Sequence, residues 1–181
     1  MRILGAIFAG GQARRFGSDK AMALLNDRPL IAHVAERLSA QAADLVICGR
    51  QWNGYVGLDD RPCPDMGPLG ALCAALHHAT QYGFDAVLTS GCDLPDLPID
   101  LAACLAPPPS LVKGQPLLGL WPSELSPLLD DYLAASDDLS MTGWRRHCSA
   151  RIVEIGRAVA NINTPGDLAM LRLREDLQSS R

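Results

Sequence analysis

The segment Phe8-Ala9-Gly10-Gly11-Gln12-Ala13-Arg14-Arg15-Phe16-Gly17-Ser18-Asp19-Lys20 brings a glycine pair, guanidinium groups and an ammonium together in one short stretch. That set can bind phosphate. Gly10 and Gly11 let the backbone approach a ligand closely and take positive φ, and their successive N–H groups can form an anion-binding nest. Arg15 offers a bidentate fork to phosphate oxygens, and Lys20 a compact point charge. Two common glycine loops are excluded. Walker A needs Gly-Lys-Ser/Thr, whereas Gly17 is followed by Ser18-Asp19-Lys20; the dinucleotide fingerprint needs a G-x-G-x-x-G spacing that is absent here. Composition alone leaves open a plain glycine turn flanked by solvated basic residues.

Asp93, in Gly91-Cys92-Asp93-Leu94-Pro95, is the candidate metal ligand. It follows an apolar run that reads as a strand, and Pro95 cannot extend a ladder. Mg²⁺ prefers hard oxygen donors and often combines one or two carboxylates with phosphate oxygens. The alternative for Asp93 is an aspartate capping a turn. Asp59, Asp60 and Asp65 precede Gly67-Pro68-Leu69-Gly70. Any of them can accept bonds from a base or a ribose, or simply shape a surface turn. His33, His77, His78 and His147 have no metal-like spacing and read as structural or exposed. Asn161-Ile162-Asn163-Thr164-Pro165-Gly166-Asp167 reads as a strand end and a helix cap.

The elements needed to position these groups follow from hydrophobic patterning. Ile3–Phe8, Asp44–Gly49 and Asp85–Ser90 are compact apolar runs, the pattern of strands buried on both faces. Pro29 opens a helix carrying Leu30, Ile31, Val34 and Leu38 at helical spacing. Residues 52–68 are expected to be irregular. Leu69–Ala79 is an Ala/Leu-rich helix, and Pro98–Leu105 a shorter one closed by Pro107-Pro108-Pro109. Strands are expected at Ser110–Val112, Pro116–Trp121 and Arg151–Ile155, and helices at Leu125–Ala135 and Leu168–Leu177. Strand and helix alternate, so the fold class is α/β with a mainly parallel sheet and right-handed crossovers. Ligands of such sheets sit at the carboxyl ends of strands, which is where both Gly10-Gly11 and Asp93 fall. One sheet is expected to continue past the proline run.

Composition sets the outer bounds. With 181 residues, 48% of them hydrophobic and 20% charged, a substantial core is available without staples. A net charge of −4 argues against a broad nucleic-acid-binding surface. Cys48, Cys63, Cys73, Cys92, Cys104 and Cys148 form no C-x-x-C pair and no zinc pattern; Cys73 and Cys104 read as small core residues. The apolar start is short and runs into Gly10-Gly11 and Arg14-Arg15 rather than a small-residue cleavage site. No apolar run approaches the ~20 residues of a membrane span. A cytoplasmic protein with one domain over 1–181 is expected, its nucleotide-binding part at 1–105 and its acceptor-binding part at 106–181.

In this order the segments resemble the molybdenum cofactor guanylyltransferases (MobA). The Leu-Ala-Gly-Gly loop with Arg-x-Gly and a following Lys is matched by Phe8-Ala9-Gly10-Gly11, Arg15-Phe16-Gly17 and Lys20. Gly-Pro-Leu is matched by Gly67-Pro68-Leu69, Cys-Asp-x-Pro by Cys92-Asp93-Leu94-Pro95, and Asn-x-Asn-Thr-Pro by Asn161 to Pro165. Gln115-Pro116 stands as a variant of a His-Pro strand start. The resemblance spans nearly the whole chain and implies a Rossmann-like three-layer nucleotidyltransferase fold. It implies transfer of GMP from GTP to the phosphate of molybdopterin, with Mg²⁺ as cofactor. It extends the partners to molybdoenzymes or their chaperones, without nucleic acid or membrane. By the resemblance, Phe8, Ala9, Gly10 and Gly11 contact the nucleotide, and Asp60 the guanine or ribose. Lys20 meets the phosphates, and Asp93 meets nucleotide and metal. Gly67, Asn161 and Asn163 line the acceptor side, and Arg15, Lys20 and Asp93 carry catalysis. Two positions depart from the family. Phe8 replaces Leu, and Cys48-Gly49 stands where an Asn helps to recognise guanine. A thiol is a poor substitute for an amide, which both donates and accepts. A cytidylyltransferase of the same cofactor, a sugar-phosphate nucleotidyltransferase and a non-catalytic nucleotide-binding module are the competing functions.

Overall fold

The computed structural model describes residues 1–10, 19–156, 159 and 161–179. Its centre is a seven-stranded sheet. In chain order the strands are β1 (Ile3–Phe8), β4 (Asp44–Cys48), β5 (Val56–Leu58), β6 (Ala86–Gly91), β7 (Ser110–Val112), β8 (Gln115–Pro122) and β9 (Arg151–Val153). Strands β2 (Leu24–Leu25) and β3 (Arg28–Pro29) form a separate small hairpin. Across the large sheet the order is β5-β4-β1-β6-β8-β7-β9. Only β8 runs against the rest, pairing antiparallel with β6 and β7. The sheet continues past the proline run, as expected, because β8 adds to the β6 edge and β7 pairs with β8.

Helices α1 (Leu30–Ser39), α2 (Gly67–Gln81), α3 (Leu101–Leu105), α4 (Ser126–Ala135), α5 (Met141–His147) and α6 (Pro165–Ser179) complete the fold. Alternation along the strands sends side chains into two cores. Leu4, Ala6, Val46, Val87 and Trp121 face α2, α4 and α5. Ile3, Ile7, Ile47, Leu88 and Leu120 face α1 and α3. The result is three layers, helices on both sides of the sheet. In α2, Leu69, Leu72 and Leu76 are fully buried, each contributing roughly 2 kcal/mol. A third, smaller cluster joins Leu25 and Leu30 to Ile162, Leu168 and Leu171, docking α6 on the hairpin. The expected helix cap is present: Asp167 accepts from the Asn163 and Thr164 N–H groups, and Thr164 Oγ1 accepts from the Asp167 N–H.

The structure departs from the sequence expectations in four places, one of them Cys104, which is exposed on α3 rather than in the core because it lies on the helix face turned from the sheet-side residues Leu101 and Leu105. Residues 52–68 are not wholly irregular, since β5 lies within them and pairs parallel with β4. Helix α5, Met141–His147, was not expected; Ser140 caps it by accepting from the Gly143 N–H at 3.0 Å. The helix expected from Pro98 begins only at Leu101. No helix among the described residues is long and apolar enough to cross a membrane.

Candidate functional site

The carboxyl ends of the three central strands are level. Phe8, the last residue of β1, is in register with Cys48 of β4 on one side and Gly91 of β6 on the other. Backbone bonds carry the alignment one step further: Ala9 N–H donates to Cys48 C=O at 2.9 Å, and Cys92 N–H to Phe8 C=O at 3.2 Å. The crossover from β1 through α1 leads to β4 on one side, and the later crossover from β5 through α2 brings β6 to the other side of β1, which makes this edge the topological switch point where open α/β sheets bind ligands. A cavity of about 1020 Å³ opens there, at the upper end of the range for small-molecule sites.

Most of the residues expected from the sequence meet in this cavity. Phe8, Ala9, Gly10, Lys20, Asp60, Gly67 and Asp93 all line it. Asp65 also lines it, but exposed Asp59 does not. Gly11 and Arg15 lie outside the described residues. Lys20 Nζ donates to Asp93 Oδ2 at 2.7 Å and to Asn163 Oδ1 at 2.9 Å. The Lys20–Asp93 pair is well sheltered, each side chain 16% exposed. The Ile162 N–H donates to the Asp93 carbonyl at 3.0 Å, which fastens the 161–164 segment to the metal-ligand candidate. Asn163 thus joins the site through Lys20. Asn161 is exposed and does not line the cavity.

Oxygen donors from Asp93 and Asn163 converge on one cationic centre, the Lys20 ammonium. That donor set, a carboxylate and an amide carbonyl, suits a hard divalent cation.

Arg50 is a residue that the sequence reading missed. Its guanidinium forks onto Asp19, at 2.8 Å to Oδ2 and 3.0 Å to Oδ1, while Nε donates to the Ala9 carbonyl at 3.1 Å. It therefore clamps both ends of the glycine-rich segment to the end of β4, and it holds the Asp19 carboxyl below the usual carboxylate range. The signal available in the sequence was position: Arg50 follows β4 as Asp93 follows β6. Charge-assisted bonds of this kind are worth about 1.5–3 kcal/mol each. Arg50→Ala should raise the nucleotide KM by about tenfold or more, measured by steady-state kinetics; a KM within about twofold of the parent would refute the clamp.

Asp60, Gly67 and the first turns of α2 line another part of the cavity. Cys48 reaches it from β4 with its thiol donating to Ala71 C=O at 3.6 Å. Burial pushes the Cys48 thiol far up, so it stays neutral. Its hydrogen is already committed, and only a weak sulfur acceptor remains. Asp60 is pushed above its ordinary value, chiefly by desolvation and further by Asp65 and Asp59, against a bond from the Met66 backbone.

Comparison with known proteins places this arrangement. The family model described as MobA-like NTP transferase domain matches residues 5–148. A molybdenum cofactor guanylyltransferase of Cereibacter sphaeroides is 37% identical, the alignment covering 97% of this chain and 100% of the relative. One from Brucella ovis is 32% identical over 98% of this chain and 95% of its own. Among solved structures, molybdopterin-guanine dinucleotide biosynthesis protein A from Archaeoglobus fulgidus superposes with a TM-score of 0.70 at 20% identity, covering 96% of this chain and 98% of that one. With its glycine loop, acidic strand end and three-layer fold, the chain belongs to the molybdenum cofactor guanylyltransferase family of MobA-like NTP transferases.

Proposed function

We propose that the protein transfers GMP from GTP to the terminal phosphate of molybdopterin, the pterin of the molybdenum cofactor, and releases pyrophosphate. The observation that carries this reading is the level alignment of three strand ends, which brings Gly10, Lys20 and Asp93 around one cavity. An oxygen of the acceptor phosphate attacks the α-phosphorus in line as the bond to the β-phosphate oxygen breaks. The nucleophile is already an anion, so no strong base is required. Positioning and charge stabilisation then account for the rate. Gly10 and the glycine-rich segment that follows it in the sequence receive the triphosphate. Lys20 shifts from Asp93 toward the phosphates, and Arg15 adds its charge on the pyrophosphate side. Asp93, with Asn163 beside it, would hold Mg²⁺, which when bound supplies neutralisation of phosphate charge. Gly67 and Asn163 serve the acceptor side; Asn161, which does not line the cavity, would meet only a part of the acceptor that extends beyond it. The reaction is assigned to the cytoplasm; six unpaired thiols accord with a reducing compartment.

Pyrophosphate release in the presence of molybdopterin and Mg²⁺, measured with each of the four NTPs, tests the proposal. GTP should support turnover. Turnover with CTP alone would select a cytidylyltransferase, the alternative that Cys48 raises by leaving no amide to read guanine. Tight GTP binding without pyrophosphate release would make the chain a binding module.

Asp60 gives this site a pH signature. Ionised, its carboxylate accepts hydrogen bonds from the guanine or ribose. Because its pKa is raised, it takes up a proton at a higher pH than an ordinary aspartate. The nucleotide KM should therefore rise as the pH falls, beginning above the ordinary aspartate range. Asp60→Asn should flatten that profile, and an unchanged profile in this variant would remove Asp60 from the nucleotide site.

A further inference from the structure

Where α2 packs against α4, three metal-ligating side chains meet. Cys73 and His77 lie one helical turn apart on α2, an i, i+4 pair on one face, and Asp130 approaches from α4. The Cys73 thiol lies 3.2 Å from Asp130 Oδ1. His77 Nε2 lies 2.9 Å from both carboxylate oxygens of Asp130. One ligand atom from each residue falls within 4.8 Å of the other two. None of the three lines the nucleotide cavity. Sequence spacing had concealed the group, since Asp130 is far from α2 in the chain and Cys73 reads as a core residue.

We propose that Cys73, His77 and Asp130 bind a divalent transition ion of the zinc class, which pins α2 to α4. In a tetrahedral zinc site, with Zn–S ≈ 2.3 Å and Zn–N or Zn–O ≈ 2.0–2.1 Å, ligand atoms stand roughly 3.3–3.6 Å apart. The observed separations of 3.2 and 2.9 Å need to open by only a few tenths of an ångström. A thiolate–imidazole–carboxylate set selects a borderline-soft ion over Mg²⁺, so this site and Asp93 take different metals. The backbone favours the site too: Cys73 is fixed in the core, while the His77 and Asp130 side chains are 30% and 44% exposed, giving the ion a path from solvent and room for a water as fourth ligand. Arg61 reaches the Cys73 thiol; its side chain is exposed and must swing outward as the cation enters. The Cys73 proton leaves to solvent as the metal–sulfur bond forms.

Titration of the whole protein with Co²⁺, followed by the thiolate-to-cobalt charge-transfer absorption, tests the site. One equivalent should produce the band. Cys73→Ala should abolish it, Cys63→Ala should leave it intact, and His77→Gln and Asp130→Asn should each weaken binding by at least about tenfold. Zn²⁺ should raise the Tm of the parent but not of Cys73→Ala, and Mg²⁺ should do neither. Absence of the band in the parent, its survival in Cys73→Ala, or undiminished affinity in both half-exposed variants would each overturn the proposal. His77→Gln and Asp130→Asn alter surface-accessible groups, so they stay informative even if Cys73→Ala folds poorly.

Discussion

Asp93→Ala should lower kcat by about a hundredfold to a thousandfold or more, the range seen when a single electrostatic stabiliser of a transition state is removed, while the nucleotide KM stays level or falls. The split follows from the Lys20–Asp93 pair. In the parent, Lys20 divides its hydrogen bonds between Asp93 and Asn163, and a triphosphate competes for the same ammonium. Removing the carboxylate leaves Lys20 held only by the neutral Asn163 Oδ1 and so more available to phosphate, and ground-state binding gains what the ion pair had held. The same change removes the carboxylate assigned to the metal, and with it stabilisation of charge as the α-phosphorus is transferred. The fold should survive, because the Asp93 backbone carbonyl keeps its bond from the Ile162 N–H. The pair lines an open cavity, and Lys20 keeps its bond to Asn163, which limits the cost of losing its carboxylate partner. A mutant whose kcat lies within about tenfold of the parent would deny Asp93 its catalytic role. A mutant with unchanged kcat but a raised KM would recast it as a binding residue alone.

How far the sequence could be read depended on whether neighbours in space are also neighbours in the chain. β1, β4 and β6 were legible because a strand covered on both faces is largely apolar, and each is followed within two residues by a glycine or an aspartate that marks the edge of the sheet. Asp93 was legible for the same reason, as a carboxylate immediately beyond such a run. β5 was hidden because three residues with an exposed Val56 and a central Gly57 carry no such signature; pairing with β4 alone makes them a strand. α5 was hidden because seven residues are too few to display a period. Arg50 looks like any solvated arginine until the fold brings Asp19 and the Ala9 carbonyl to it. Cys73, His77 and Asp130 become one cluster only when α4 packs on α2. Local patterning thus encodes the sheet and its ligand edge, and tertiary packing creates the clamps between elements.

Gly49→Ala should destabilise the protein by about 2–5 kcal/mol and lower kcat/KM by about a hundredfold, although residue 49 carries no reacting group. Gly49 has φ +86°, a conformation that costs an L residue about 1–2 kcal/mol. A Cβ there would stand 2.3 Å from Gly10 Cα and 2.6 Å from Gly10 N, both backbone atoms. Forcing such an overlap apart adds about 1–3 kcal/mol. Neither chain can yield easily: Gly49 N–H is held by Leu58 C=O at 2.7 Å, and Ala9 N–H by Cys48 C=O at 2.9 Å. The displacement therefore falls on Gly10, proposed to meet the triphosphate, where a 1 Å error can cost about a hundredfold in rate. Gly114→Ala is the matched control. Gly114 has φ +73° but nothing within 4 Å of its Cβ position, so it should show only the backbone cost of about 1–2 kcal/mol and unaltered kinetics. Chemical denaturation of both variants, with kcat/KM on each, separates the two contributions. Equal effects from the two substitutions would mean that the crossing of Gly10 and Gly49 does not position the phosphate turn, whereas a loss confined to Gly49→Ala makes the closeness of two backbones a requirement of the reaction.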